Sequence, residues 1–578
     1  MKQGPNPNHK IQRIFNLTLF TVLAFMIGSV IILSLVPPVS RDALTHHLAV
    51  PKIWIQNGGF CEIPHNIFSY YPMNLDLLYI IPLYFGNDSV PKLIHFSFSL
   101  LTAYLIFSYL KQKTELLYGL MGVVLFLSLP IIIKLSITVY VDLGLIYFSF
   151  ASLILVLKWK DAGFPLGILV MAAVCCGFAL GTKYNGMISF FLLTCLVPVI
   201  YLRSNRSKPE KSKIGKKGSA SQLRAGGYGI VFMAVALVVF SPWLVKNYML
   251  TDNPVYPLFD EYFRSHEKSV ELLPDDGNTP IESIPEKKHV LSNHFILRKL
   301  IYGETPLQTA LIPIRIFFEG KDDSPKYFDG RLNPFLLILP MFLFLRRKRI
   351  SRDIKEEILI IAAFSAFYIL FVYFYQDMRI RWIGPAIPGL VILSILGLKN
   401  LVGYLQYKWF KGFDQFGTIV TAFLFFLVLT INLHYLVLQF GVVRPIAYLS
   451  GKIDRAQYIA QYRKDFPVTQ HANKHLPEDA VILGIFMGNR SYYIDNKIVF
   501  NDNLLYDLLK QTDDHFQIAK KLKSEGVTHL LIWNELFSKQ TTERLNQMQS
   551  DEMEKFFQQF TLKLYSKNGY SLYACKNI

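Results

Sequence analysis

The chain has 578 residues, 52% of them hydrophobic and 15% aromatic, and carries a net charge of +18. So apolar a composition excludes an ordinary soluble enzyme and fits a protein that crosses a membrane many times, with rings gathered at the two boundaries. The positive charge lies between apolar runs, so it reads as a topology signal rather than a nucleic-acid surface.

Eleven apolar runs follow in chain order. They are Ile14 to Val36, Val90 to Leu110, Leu116 to Ile133, Leu143 to Leu157, Phe164 to Leu180, Met187 to Tyr201, Tyr228 to Val245, Pro334 to Leu345, Ile358 to Tyr375, Ile383 to Leu401 and Gly417 to Phe440. Most have the roughly 17 to 25 residues that a helix needs to cross a bilayer; Pro334 to Leu345 is short. Met73 to Phe85 is apolar over only half a span and reads as a re-entrant or interfacial helix. Counting it as a span would reverse the topology of everything after it. The first run is too long for a signal peptide and lacks a small-residue cleavage site, so it is expected to be a retained anchor.

With the N-terminus in the cytoplasm, the inside loops carry Lys111 and Lys113, Lys158 and Lys160, and the Lys- and Ser-rich stretch Ser204 to Ser221. They also carry Arg346, Arg347, Lys348 and Arg349, then Lys399, Lys408 and Lys411. Every such loop is basic, as the positive-inside rule requires. The same count places residues 38–89, 134–142, 181–186, 246–333, 376–382 and 441–578 outside. In the long loop, Asp275-Asp276-Gly277 and Lys321-Asp322-Asp323 read as turns. The expectation is a bacterial cytoplasmic-membrane protein with a membrane part over 1–440 and an extracytoplasmic α/β domain over 441–578. In that domain short strand-like runs, Ala480–Phe486, Ser491–Ile494, Lys497–Phe500, His529–Trp533 and Thr561–Tyr565, alternate with helical stretches such as Asp514–Ser524. The five cysteines form no metal or redox motif.

Charged residues bordering the spans, apart from the inside basics, fall on one face. Asp42 stands with His46 and His47 just after the first span, on a short helix that lies in the interface. Asp142 opens the fourth span, Lys183 follows the fifth, Lys246 ends the seventh, and Arg379 and Arg381 precede the tenth. Two carboxylates and four cations on one mouth suggest a site that binds phosphate and moves a proton. Duller readings exist for each. Asp42 and Asp142 suit helix N-caps, the four cations suit snorkelling to headgroups, and His46 more than His47 suits a satisfied interface histidine. There is no phosphate-binding glycine loop, no dinucleotide fingerprint and no zinc spacing.

In this order the motifs resemble those of integral-membrane glycosyltransferases of the GT-C fold class, near the bacterial aminoarabinose transferases and protein O-mannosyltransferases. The resemblance rests on Asp42, His46-His47-Leu48 with His in an aromatic place, Lys52, Tyr70-Tyr71-Pro72, Asp142, Thr182-Lys183, and Arg381-Trp382 with Pro385 and Pro388, where Trp replaces the usual Tyr. It implies inverting sugar transfer from a polyprenyl-phosphate donor to a lipid, glycan or protein acceptor. Asp42 would be the general base, with a pKa raised by partial desolvation. Lys183 and Arg381 come first as cations for the leaving phosphate, with Lys246, Arg379 and His47 behind them. Asp142 would orient the sugar. Lysine and arginine alone can handle that phosphate, so a divalent cation on Asp42 and Asp142 stays open. The rival readings are a surface-glycan polymerase or ligase, a transporter of lipid-linked substrates, and a scaffold. A transporter predicts charges at mid-span, whereas here they sit at span ends.

Overall fold

The computed structural model describes residues 7–206, 216–263, 290–345, 351–410 and 415–576. Residues 207–215 of the Lys- and Ser-rich stretch, Asp275-Asp276-Gly277, Arg346 to Arg349 and Lys411 lie outside the described residues.

Each of the eleven apolar runs forms helix. Their helices are α1 (Pro7–Ser34), α4 (Val90–Lys113), α5 (Leu116–Ser128) with α6 (Pro130–Ser136), α7 (Asp142–Asp161), α8 (Leu166–Thr182), α9 (Gly186–Arg206) and α10 (Lys216–Thr251). Next in the chain are α11 (Val290–Tyr302) in the long loop, α12 (Phe335–Met341), α13 (Arg352–Tyr375), α14 (Ile387–Trp409) and α15 (Phe416–Val443). Between α1 and α4 lie two short helices, α2 (Ala49–Gln56) and α3 (Asn74–Tyr84). Among the described residues, eight helices are long and apolar enough to cross a membrane, counting Ile380–Trp409 as one, and the pair α5–α6, bent by 65°, makes a ninth if it is one span. Leu166–Thr182 and Phe335–Phe344 are apolar but shorter. The reason for helix throughout is physical: in lipid every backbone N–H and C=O must be satisfied within its own segment.

The half-span Met73–Phe85 is α3, an 11-residue helix. Its end carries the exposed side chains Ile81, Tyr84 and Phe85. Within the bundle, α7 packs between α4 and α8, and α8 lies against α10. Gly177 permits that last approach, because a Cβ there would stand 2.5 Å from Cβ of Val239. Trp159, Phe126 and Phe150 fill the core and are fully buried.

After α15 the chain builds a five-stranded sheet in the order β2-β1-β3-β5-β4, with β1 (Val481–Ile485), β2 (Lys497–Phe500), β3 (His529–Trp533), β4 (Thr561–Lys567) and β5 (Tyr570–Cys575). Strands β2, β1 and β3 are parallel, and β5 runs antiparallel to both β3 and β4. Two sequence expectations need correction here. Ser491–Ile494 is a turn rather than a strand, because its backbone is spent on the helical part: Tyr492 N–H donates to the Leu44 carbonyl at 3.1 Å. Strand β5 was not anticipated, although it pairs along its length with β4 through the turn at Asn568-Gly569. The described cysteines are all unbridged.

Candidate active site

Residues 43–47 form one π-helical turn, closed by Leu48 N–H donating to the Ala43 carbonyl at 2.9 Å. A π turn carries one more residue than an α turn and rotates the side chains that follow it. Asp42 precedes the turn in helical conformation and makes no cap with its side chain. Its Oδ2 instead accepts from Arg381 Nη1 at 2.6 Å. Asp142 is the first residue of α7 and likewise caps nothing; its Oδ1 accepts from Lys183 Nζ at 2.8 Å. Both carboxylates thus stand in ion pairs with residues from remote segments.

Several buried groups hold this arrangement. His95 on α4 accepts the Leu143 N–H at Nε2 (2.9 Å), and its Nδ1 faces the Leu135 and Thr138 carbonyls (3.0 and 3.1 Å). The proton therefore sits on Nδ1, and the ring fixes the start of α7 where Asp142 stands. Tyr140 lies under the Arg381 guanidinium, 5.2 Å from ring centre to Cζ, while its own carbonyl accepts from the Tyr79 hydroxyl. Arg381 belongs to a 3₁₀ turn, Ile380–Ala386, that leads into α14. That turn is pinned to the long loop by Ile380 N–H donating to Phe328 O at 2.8 Å. The fully buried Arg298 on α11 bonds Asp377 at 3.0 Å and Glu304 at 2.8 and 3.0 Å, and so braces the same segment.

The two histidines differ in their bonding from what the sequence suggested. His47, expected near the phosphate, is buried with Nδ1 2.7 Å from Oδ1 of Asp76. His46, expected to be satisfied, stacks on Phe68 with ring centres 4.5 Å apart, and its buried Nδ1 has no partner among the described residues. The physical reason is the π turn, which the sequence pattern does not announce. Burial, and next the neighbouring His47, push the His46 imidazole well below its usual value, so it is neutral at pH 7.

For Asp42 the expected upward shift is not found. Burial, the largest single influence, pushes the carboxyl up, but the Arg381 guanidinium together with His46 and His47 outweighs it and holds Asp42 well below the usual carboxylate range. The pair remains reachable, with the Asp42 and Arg381 side chains 24% and 14% exposed. Arg379 lies over Trp382 at 5.2 Å. Lys246 is engaged elsewhere: its ammonium donates to the Ser69 carbonyl at 2.6 Å and sits 5.1 Å over Trp243.

Asp142 Oδ2, Arg379 Nε, Arg381 Nε and His46 Nδ1 are all buried and lack a partner among the described residues. Such atoms are costly in a folded protein and mark places where a ligand supplies the missing bonds. Two acceptors and two guanidinium donors together can hold a hydroxyl-bearing, phosphate-bearing molecule. The same groups fit a divalent cation poorly, since each carboxylate already faces a cation. The metal-type side chains that converge as a group of three among the described residues are Asp514, His515 and Glu552, in the sheet domain. There both ring nitrogens of His515 are taken, by Glu552 at 2.5 Å and Gln559 at 3.2 Å.

Residues 66–251 match the family described as dolichyl-phosphate-mannose-protein mannosyltransferase. That stretch contains Asp142, Lys183 and Lys246 and leaves Asp42, Arg379 and Arg381 outside. No curated protein matches by sequence. The crystal structure of ArnT from Cupriavidus metallidurans bound to undecaprenyl phosphate is similar with a TM-score of 0.54 at 13% identity, over 96% of this chain and 97% of that one. The apo crystal structure of the same ArnT gives 0.54 at 14% identity, with the same coverage. The archaeal oligosaccharyltransferase AglB from Archaeoglobus fulgidus, in complex with an inhibitory peptide and a dolichol-phosphate, gives 0.44 at 13% identity, over 96% of this chain and 74% of that one. The fold is the GT-C fold.

Proposed function

We propose that this polytopic GT-C protein is a membrane glycosyltransferase that moves a sugar from a polyprenyl-phosphate donor to an acceptor hydroxyl, with inversion, at the membrane face where Asp42 stands. The observation that carries the reading is the meeting of Asp42 with Arg381 and of Asp142 with Lys183, beside four buried polar atoms that await partners. Support for the donor class comes from the family match over 66–251 and from the undecaprenyl phosphate bound by the ArnT of like fold.

In this reading Arg381 is shared. Its Nη1 holds Asp42 while its Nε–H remains for a phosphate oxygen, and Lys183 has two further N–H donors beyond the one on Asp142. As the phosphate draws on the guanidinium, the charge holding Asp42 down is divided and the carboxylate becomes a better base. The acceptor oxygen attacks the anomeric carbon, and the bond from that carbon to the phosphate oxygen breaks. The electron pair leaves on the lipid phosphate, facing Lys183, Arg381 and Arg379, and the hydroxyl proton passes to Asp42. The neutral His46 accepts a sugar or acceptor hydroxyl, and Asp142 holds Lys183 in place. Lys246 braces the first loop and carries no step. A transporter would place its charges near mid-helix; here the paired groups stand at helix ends.

Lys113 and Lys160 both reach Glu357, which puts the basic loop residues at the opposite end of the bundle. By the positive-inside rule this supports reading the Asp42 face as extracytoplasmic. The test is release of polyprenyl phosphate from a panel of polyprenyl-phosphate hexoses and pentoses by protein in nanodiscs. Asp42→Asn is expected to melt like the wild type and to lose about 10²- to 10⁴-fold in transfer. Transfer at the wild-type rate by that variant would overturn the assignment.

A further inference from the structure

Where the helical part meets the sheet domain, the chain leaves a cleft that the transfer site does not use. Its polar end is a cavity of about 650 Å³ between α2, the end of α3, and two helices that lead into the sheet, α16 (Arg455–Tyr462) and α17 (Phe466–His475). Its apolar end, of about 270 Å³, is lined by Trp54, Gly58, Gly59, Phe60, Ile80 and Tyr84. Ile55 lines both, so the two ends adjoin there. Asp42, Asp142, Lys183 and Arg381 line neither.

The cleft stands where two apolar helices end. Arg455, on its wall, donates from Nη1 to Asp88 at 3.2 Å, just before α4. Tyr493, also on the wall, donates its hydroxyl proton to the Pro38 carbonyl at 2.7 Å, just after α1. Both α1 and α4 are long and apolar enough to cross a membrane. Their ends mark the level at which hydrocarbon gives way to headgroups. At the apolar end, the Phe60 and Tyr84 side chains are exposed, as are Ile81 and Phe85 beside them. Rings at that level are covered by acyl chains. Gly58 and Gly59 keep this end open, since a Cβ at either would meet no atom within 4 Å.

Most charge at the polar end is already engaged. The Lys52 ammonium gives its three N–H groups to the Tyr492 and Ile494 carbonyls and to Asp495, at 2.9, 3.0 and 2.9 Å. Arg455 is matched by Asp88. Asn473 donates to the Tyr493 carbonyl at 2.9 Å and accepts the Asp495 N–H at 3.1 Å. Lys474 is left over: it is exposed and has no carboxylate partner among the described residues. Gln470 lines the cavity one helical turn earlier on the same face of α17. Three cations thus stand against the carboxylates of Asp495 and Asp88, and the surplus charge is on Lys474. A positive pocket with N–H donors to give, adjoining an apolar pocket at the ends of spans, suits an anionic headgroup carried on hydrocarbon chains.

We propose that this cleft binds an anionic phospholipid of the surrounding membrane, with its phosphate on Lys474 and Gln470 and an acyl chain against Trp54, Phe60 and Tyr84. Bound there, the lipid ties the sheet domain to the first loop. The proposal rests on the cleft and its charges and is independent of the glycosyltransferase reading.

The experiment titrates dioctanoylphosphatidylglycerol into the full chain in maltoside detergent and reads the rise in melting temperature. Wild type is expected to show a saturable rise. Dioctanoylphosphatidylcholine should need about tenfold more lipid for the same rise, and inorganic phosphate should give none. Lys474→Gln removes an exposed charge and should fold; its apparent affinity for the anionic lipid falls about tenfold, and Lys474→Arg recovers it. Gly59→Trp puts a ring where no atom stands and should weaken both lipids by filling the apolar end. Lys539→Gln removes an exposed charge that lines neither end and should respond as wild type. Wild-type binding by both Lys474→Gln and Gly59→Trp would overturn the proposal, as would equal losses in Lys474→Gln and Lys539→Gln. Equal affinity for the two lipids, or a rise with inorganic phosphate as large as with the lipid, would also overturn it.

Discussion

Helix α7 carries an acid at each end, and the two ends are treated differently. At the far end Asp161 joins Lys113, Lys160 and the fully buried Glu357. Glu357 accepts from Lys113 at 2.6 Å on one oxygen and from the Tyr109 hydroxyl at 2.9 Å on the other, so both carboxylate oxygens are satisfied. At the near end Asp142 has one oxygen on Lys183 and one without a partner among the described residues, and His46, Arg379 and Arg381 nearby each have such an atom. A closed ionic network ties three helices together and asks for nothing further. An open one has bonding capacity left for a ligand, and under the proposed function this difference separates structural charge from chemical charge in one helix.

Each end of α7 can be tested by substitution. The largest effect is expected on catalysis at the near end: Asp142→Asn should slow transfer by about 10²- to 10³-fold, because Lys183 loses its positioning partner. Its melting temperature should stay close to that of the wild type, since the 21%-exposed Lys183 can turn to water. At the far end the signs reverse. Glu357→Gln leaves Lys113 and Lys160 with Asp161 as their remaining carboxylate and should cost about 1–3 kcal/mol in stability. Chemical denaturation in detergent measures that loss, while the folded fraction should transfer normally.

The histidines sharpen the same contrast within one turn. His47→Ala strands the buried Asp76 and should destabilise by about 1–3 kcal/mol. His46→Ala removes no bonded partner and should lower transfer about tenfold without moving the melting temperature. If the two variants exchanged effects, His47 rather than His46 would face the substrate.

The smallest effect is on the pH profile. A carboxyl held below its ordinary range stays ionised as pH falls, so wild-type transfer should be flat between about pH 5 and 7. In Arg381→Gln, burial is left without its main opponent and the Asp42 pKa rises. Protonation then removes the base, and the residual rate should decline with falling pH in that window. A flat profile in the variant would show that the proton goes elsewhere.

Much of the fold was legible because its determinants are local. Apolar runs of span length become helices wherever no water can satisfy the backbone, and the half-span Met73–Phe85 was separable by length alone. Strand β5 was missed because Tyr570–Cys575 mixes polar and apolar residues without a clean alternation. Ser491–Ile494 misled because its Tyr-Tyr-Ile looks like a strand, while its backbone bonds lie with residues 38–44 instead. At the site, residue types at span ends pointed to Asp42, Asp142, Lys183 and Arg381. His95 was not singled out, although a histidine inside an apolar run is a signal that could have found it.

The sequence by itself determined where the apolar helices lie, which loops are basic, and that the carboxylates and their cations stand at helix ends. Hydropathy and charge act through the solvent, residue by residue, and so can be read without neighbours. Only the tertiary structure decided that Asp42 meets Arg381 across 339 positions of chain, that Lys246 is used to brace a loop, and that His46 rather than His47 is left unpaired. Those outcomes depend on which side chains packing brings within about 3 Å, and hydrogen bonds and ion pairs are won or lost over that distance.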